Sequence, residues 1–353
     1  MKILARAVGA LLPALFWVLT SGVQAEPFKV GVSLPLSGFA AAYGTALRQG
    51  LTLFNEEHPE AAQRLLIIYD DHQYDGGRTV ASVRKLSEVD RVNFLVVWGV
   101  TPSGVAAPLA DSLAAPMLTV TTEPVAKGRP TVASFRLMAR EFTRLIREVL
   151  ARDQLKRFAL VGINIGAVLE IVTDLKQQGV QFVSEDLVDS SATDFRTLIM
   201  KLKKAQADSL LLVLGPQQMA PFARQAAELR FSAHAISGDL LADDEARTAV
   251  RDFLGPVTYF YGSTTPEFKA RYRARWGTTS NIYEAATGYT AGELAWQLAQ
   301  KAQTSPGLNA AAIIKQFSTI DLTNSVVGRL KFENTPDFGM NAAQPLVVID
   351  DRK

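Results

Sequence analysis

The sequence predicts an α/β protein built as two doubly wound parallel-sheet lobes joined by several hinge strands. Three observations predict it. Short apolar runs rich in β-branched residues alternate with longer stretches whose apolar residues recur at three and four. The runs are too evenly apolar for a sheet with one wet face, so they read as strands covered by helices on both sides, as in parallel βαβ units. The alternation runs before Arg136, resumes after Arg157, and gives way to a tail that breaks it.

Taken in order, the strand candidates of the first half are "FKVGVSL" from Phe28, "RLLIIYD" from Arg64, "NFLVVWG" from Asn93 and "PMLTV" from Pro116. Those of the second half are "RFALVGI" from Arg157, "VQFVSEDLV" from Val180, "SLLLVLG" from Ser209, "HAISG" from His234 and "VTYFY" from Val257. Helical periodicity fills the gaps, for example in "YGTALRQGLTLFNEEH", "TVASVRKLSEV" and "PQQMAPFARQAAELR". The tail holds two consecutive helices, "NIYEAATGYTAGELAWQLAQKAQ" and "LNAAAIIKQFSTI", then the strands "VVGRLKFE" and "PLVVID". A chain that crossed once between lobes would not need this appendix. It predicts a return to the first lobe and a closing strand beside the second: lobe 1 from 26–140 and 264–328, lobe 2 from 141–263 and 329–353.

The first 25 residues carry Lys2 and Arg6, the apolar run "AVGALLPALFWVL", and a polar stretch ending in small residues at Val23 and Ala25. This is the pattern of a secretory signal cleaved after Ala25, and the run is shorter than the ~20 apolar residues of a spanning helix. The expectation is a periplasmic protein without membrane insertion after cleavage. Without Lys2 and Arg6, 35 of the 37 Lys plus Arg remain against 35 Asp plus Glu. That balance, with no Lys/Arg-rich block, sets nucleic acid aside, because a backbone-reading protein needs cationic excess. The absence of cysteine excludes disulfides, thiol catalysis and thiolate zinc sites.

In open parallel sheets ligands sit beyond the carboxyl ends of the strands, where helix N-termini offer unpaired N–H groups. Here those positions read "LPLSGFAAAYG", "YDDHQYDGG", "WGVTPSG" and "LTVTTEP". Ser37, Ser103, Thr121 and Thr122 suit either of two roles, capping their own helices or receiving a ligand carboxylate. Enzyme signatures are absent: no G-x-S-x-G, P-loop, G-x-G-x-x-G or paired-histidine motif appears, and His58, His72 and His234 fall in separate units. Asp70 and Asp71 succeed each other on a strand and point to opposite faces, so they do not form an acid–base pair. No cofactor is expected, and the chain is read as a binding protein, not an enzyme.

Together these pieces resemble the periplasmic solute-binding proteins of ABC importers related to the leucine/isoleucine/valine-binding protein, with its two-lobed type I periplasmic-binding fold. The resemblance covers nearly the whole chain after residue 25. It is carried by "GVSLPLSGFAAAYG", "IYDDHQYD", "WGVTPSG", "PMLTVTTEP", "SFRLMARE", "SATDFRTLIMKLKKAQAD" and "GYTAGEL" in that order. It implies capture of an amino acid or related small carboxylate between the lobes and delivery to an inner-membrane ABC permease. Ser103 and Thr122, with nearby backbone amides, would then hold the ligand carboxylate, with Gly104 and Thr121 beside them as binding residues, Tyr43 and Gly44 would form wall, and Asp239 would meet the ammonium, unless it only caps a turn. "YDDHQYDGG" falls at the cleft rim, with Asp75 expected to cap the helix from Gly76. The chain departs from the family at Ile165, where a tyrosine is common, at Pro216 and Gln217, and at Tyr283 and Glu284, beside a wall that is apolar in the branched-chain binder. The same fold could instead serve a periplasmic sensor.

Overall fold

The computed structural model describes residues 26–351 apart from positions 114, 122–124, 136–138, 239–240, 242–243, 263, 305–306, 308, 336–338 and 344–345. The chain begins in one lobe with β1 (Phe28–Leu34), α1 (Ala41–Glu57), α2 (Pro59–Ala62), β2 (Leu65–Asp71), α3 (Gly76–Arg84), β3 (Phe94–Trp98), α4 (Val100–Ala106), β4 (Met117–Val120) and β5 (Val132–Phe135). It then builds a second lobe from α5 (Ala139–Arg152), β6 (Phe158–Ile163), α6 (Gly166–Gln177), β7 (Ser184–Val188), α7 (Arg196–Lys204), β8 (Ser209–Val213), α8 (Pro216–Glu228), β9 (His234–Ser237), α9 (Asp244–Phe253) and β10 (Val257–Gly262). It returns to the first lobe for α10 (Pro266–Trp276), α11 (Ile282–Thr304), α12 (Ala310–Lys315), β11 (Asp321–Ser325), β12 (Gly328–Thr335) and β13 (Gly339–Ala343). In the second lobe it adds β14 (Leu346–Asp351).

The first sheet runs β2-β1-β3-β4-β5-β13-β12-β11 and the second β7-β6-β8-β9-β10-β14. β1 to β5 pair in parallel, as do β6 to β10, while β12 and β14 run antiparallel to their neighbours. The last boundary differs from the one expected. Residues 329–335 and 339–343, assigned from the sequence to the second lobe, belong to the first sheet: β12 pairs with β11 and β13, and β13 lies parallel to β5. Only β14 crosses back. At the first crossing, Phe142, Leu145, Ile146 and Val149 of α5, just past residue 140, pack in the second core.

Burial on both faces is visible within one strand. In β3, Phe94 and Val96 pack under α1 and α11, while Leu95 and Val97 face Val83, Leu86 and Ala106 on the other side. This is why the strand reads as an unbroken apolar run. Helices α1 and α11 cross at very close range. A Cβ on Gly50 would lie 1.8 Å from the Ala285 carbonyl oxygen, and one on Gly288 would lie 2.0 Å from that of Leu47. Near this seam, Glu293 of α11 accepts a hydrogen bond from Ser325 Oγ at 2.9 Å, and Ser325 meets Thr290 Oγ1 at 3.1 Å. Burial pushes the Glu293 carboxyl up to about 7.

Candidate functional site

A cavity of about 190 Å³ opens where the carboxyl ends of the two sheets face each other. The first lobe contributes from its strand ends and the loops beyond them: Phe39 and Tyr43 after β1, Tyr74 after β2, Trp98 to Val100 at the end of β3, Thr121 after β4, and Phe135 at the end of β5. The second lobe answers with Phe142 and Ile146 of α5, Ile165 after β6, and Ser237 and Gly238 at the end of β9. Tyr283 and Glu284, in the first turn of α11, close the wall beside the crossing strands. A Cβ on Gly262 would fall 1.8 Å from the Tyr283 ring, so the glycine at the end of β10 is what lets this ring sit against the second lobe.

The lining is aromatic and apolar with few polar groups. Tyr43 stacks on Trp98 with ring centroids 5.5 Å apart, and Tyr74 meets Trp98 and Phe39 edge-on at 5.9 and 5.2 Å. Glu284, 5% exposed, is the one carboxylate among the described lining residues, and no lysine or arginine is among them. Such a site suits a small solute with an apolar body and a few groups to be oriented. A more polar hollow of about 380 Å³ adjoins it, with Thr101, Asn164, Asp189 and Ser190 in its lining. Phe39, Tyr74 and Ile165 belong to both linings.

Of the residues singled out from the sequence, Tyr43, Thr121, Ile165 and Tyr283 come together in the cavity. Ser103 and Gly104 are not in its lining. Ser103 is fully buried, its hydroxyl donating to the Val97 carbonyl oxygen at 3.4 Å. Thr122 and Asp239 lie outside the described residues. Trp98, Phe135, Phe142, Ile146 and Ser237 line the cavity without having been singled out. Trp98 ends a strand that points into the cleft, a signal available in the sequence, whereas Phe135 ends a strand too short to stand out and Phe142 and Ile146 are helical residues brought in from the other lobe.

The loop "YDDHQYDGG" is a structural clamp beside this cavity. Asp70 pairs with Lys85 at 3.0 Å on one side of β2. Asp71, on the other, receives the amides of Leu36 and Gln73 at 2.8 and 3.0 Å and the Ser37 hydroxyl at 2.6 Å. Partial burial raises the Asp71 carboxyl, but these bonds outweigh it and hold the group below the usual range. Asp75 caps α3, accepting the Arg78 amide at 2.8 Å. His72 is wholly buried between the strand ends, and desolvation depresses it to about 4.

Comparison with known proteins agrees with this geometry. A family model described as periplasmic binding protein matches residues 27–353. A Leu/Ile/Val-binding protein homolog 7 of Brucella suis is 24% identical over 334 residues, covering 83% of this chain and 81% of the relative. Among solved structures, the branched-chain amino acid transporter substrate binding protein LivJ of Streptococcus pneumoniae, in complex with isoleucine, superposes with a TM-score of 0.78. It is 18% identical, over 93% of this chain and 97% of that one. A solute binding protein of an ABC transporter from Rhodopseudomonas palustris, in complex with 3,4-dihydroxybenzoic acid, gives 0.77 at 20% identity over 91% and 92%.

Proposed function

Since the chain belongs to the periplasmic binding protein family, whose members bind small solutes for ABC transporters and are not enzymes, we propose that it captures an amino acid or related small carboxylate between its lobes and hands it to an inner-membrane permease. The observation that carries this reading is the cavity itself, shared by both lobes at the carboxyl ends of their strands and walled by apolar and aromatic side chains. Three connections join the lobes, between Phe135 and Ala139, Gly262 and Pro266, and Ala343 and Leu346. A hinge motion about these connections would close the second lobe over a solute first held on the first. In this reading the solute's carboxylate lies near Thr121 and Thr122, Tyr43, Ile165 and Tyr283 enclose its body, and Asp239 and Glu284 serve as counter-ions for its ammonium.

A second reading has a specific support. Seven aromatic rings line the cavity: Phe39, Tyr43, Tyr74, Trp98, Phe135, Phe142 and Tyr283. That suits a planar aromatic acid, a class represented by the 3,4-dihydroxybenzoic acid held by one structural neighbour. One experiment separates the two. Residues 26–353, freed of carried-over ligand by unfolding and refolding, are scanned for thermal stabilisation by L-amino acids, by the same acids without the amine, and by benzoates. Saturation at 100 times Kd adds about 2.7 kcal/mol. Stabilisation by amino acids alone, weakened in Asp239→Asn or Glu284→Gln, supports the amino-acid reading. Stabilisation by amine-free aliphatic acids keeps the small-carboxylate reading but rejects the counter-ion role of Asp239 and Glu284, stabilisation by benzoates alone favours the aromatic reading, and a panel without effect rejects both.

A further inference from the structure

We propose that His72, as a neutral imidazole, is a positioning residue that locks Tyr74 in place as the partition between the inner aromatic cavity and the outer polar hollow. The proposal rests on this cleft being the solute site. It begins with the ring's two bonds. Nδ1 accepts the Tyr74 amide at 3.0 Å, and Nε2 lies 3.1 Å from the Trp98 carbonyl oxygen. An amide can only donate, so Nδ1 carries no proton. A carbonyl can only accept, so Nε2 carries the proton. The main chain of the same residue is equally committed: its amide donates to the Leu34 carbonyl at 3.0 Å and its carbonyl accepts the Asp75 amide at 2.8 Å. One buried residue thus ties together the ends of β1, β2 and β3, its main chain reaching β1 and its ring reaching β3, and two of its neighbours are cavity rings.

The tie has something to hold. Gln73 and Tyr74 both adopt left-handed backbone conformations, with φ of 51° and 60°, an arrangement that persists only where surroundings impose it. The Tyr74 ring lies over Gly99, where a Cβ would come within 2.6 Å of it, and its hydroxyl accepts the Val100 amide at 3.3 Å. So held, Tyr74 stands with Phe39 and Ile165 between the two hollows. A protonated ring would turn an N–H toward the Tyr74 N–H, setting donor against donor, and the partition would lose its anchor. The charged and titratable neighbours are Asp71, whose charge favours the protonated ring, together with Asp75 and Tyr74 itself. Leu34 and Trp98, whose carbonyls bond His72 from β1 and β3, are uncharged. Desolvation outweighs Asp71, so the neutral form holds down to about pH 4.

The test needs no solute, so its failure is distinct from a wrong assignment of the ligand. In residues 26–353 carrying Trp276→Phe and Trp296→Phe, Trp98 is the remaining tryptophan, and acrylamide quenching of its fluorescence reports how open the inner cavity is. The expected result is weak quenching from neutral pH down to mild acid, rising severalfold through pH 4. His72→Ala and Tyr74→Ala should show the high quenching already at neutral pH, with the acid step gone in His72→Ala, while far-ultraviolet circular dichroism stays unchanged. Parent-like quenching in both variants, or an acid step that survives in His72→Ala, would overturn the proposal. Should His72→Ala fail to fold, nitrogen NMR of the parent decides it: the proposal requires a neutral His72 ring with the proton on Nε2 at pH 7, and a charged ring or the opposite tautomer would overturn it.

Discussion

Replacing Glu293 by Gln should stabilise the protein at pH 8 and leave it nearly unchanged at pH 4. In the unfolded chain this carboxyl ionises near its ordinary 4.5, and in the folded chain burial raises that to about 7. Between those values the unfolded state has lost the proton that the folded state still binds, so stability falls as pH rises through the window and levels off above it. The full difference corresponds to about 3 kcal/mol. Screening and relaxation around a group that also feels the Arg271 guanidinium trim this, so about 1–3 kcal/mol is expected. Glutamine cannot ionise and keeps an oxygen to accept the Ser325 hydroxyl, so it removes the penalty and retains the bond. Urea unfolding of both proteins at pH 4 and pH 8, monitored by circular dichroism, measures the effect. Equal shifts at both pH values, or a loss of stability at pH 8, would show that the native carboxylate is ionised and paired, and would refute the reasoning.

Close contacts and caps have consequences of their own. Gly50→Ala should destabilise the first lobe by about 1–3 kcal/mol or more, because its Cβ would enter the Ala285 carbonyl, and the gain in helix propensity is too small to offset this; thermal melting checks it. Gly262→Ala should push the Tyr283 ring from the cleft and weaken solute binding along with stability, read by titration of whichever solute the panel identifies. Asp75→Ala should cost about 1 kcal/mol through the lost cap on α3, and Asp75→Asn much less, in the same melting assay.

Much of the fold is legible because its physics is local. β1 to β4 fall within a residue of the apolar runs that predict them, since a strand covered on both faces has to be apolar throughout. β5, β11 and β13 escape notice for opposite reasons. "VASF" is too short to stand out, and "DLTNS" and "GMNAA" lack the apolar and β-branched residues of a covered strand. The misplaced boundary at 328 has the same origin, for nothing in "GRLKFE" says which sheet it joins. In the site, Thr121 and Ile165 sit in loops and Tyr43 and Tyr283 at the starts of α1 and α11, positions that the resemblance aligns. Trp98 is readable as the last residue of a strand. Phe142 and Ile146 depend on how two lobes face each other, which no local pattern encodes.

The order in which the chain visits its lobes governs when either can fold. The first sheet is incomplete until β13 has been made, and the second until β14, whose Asp350 receives the Arg152 guanidinium at 2.8 Å and the Thr258 hydroxyl at 2.6 Å from segments about 100 to 200 residues earlier. A nascent chain therefore holds no finished lobe until those two strands emerge.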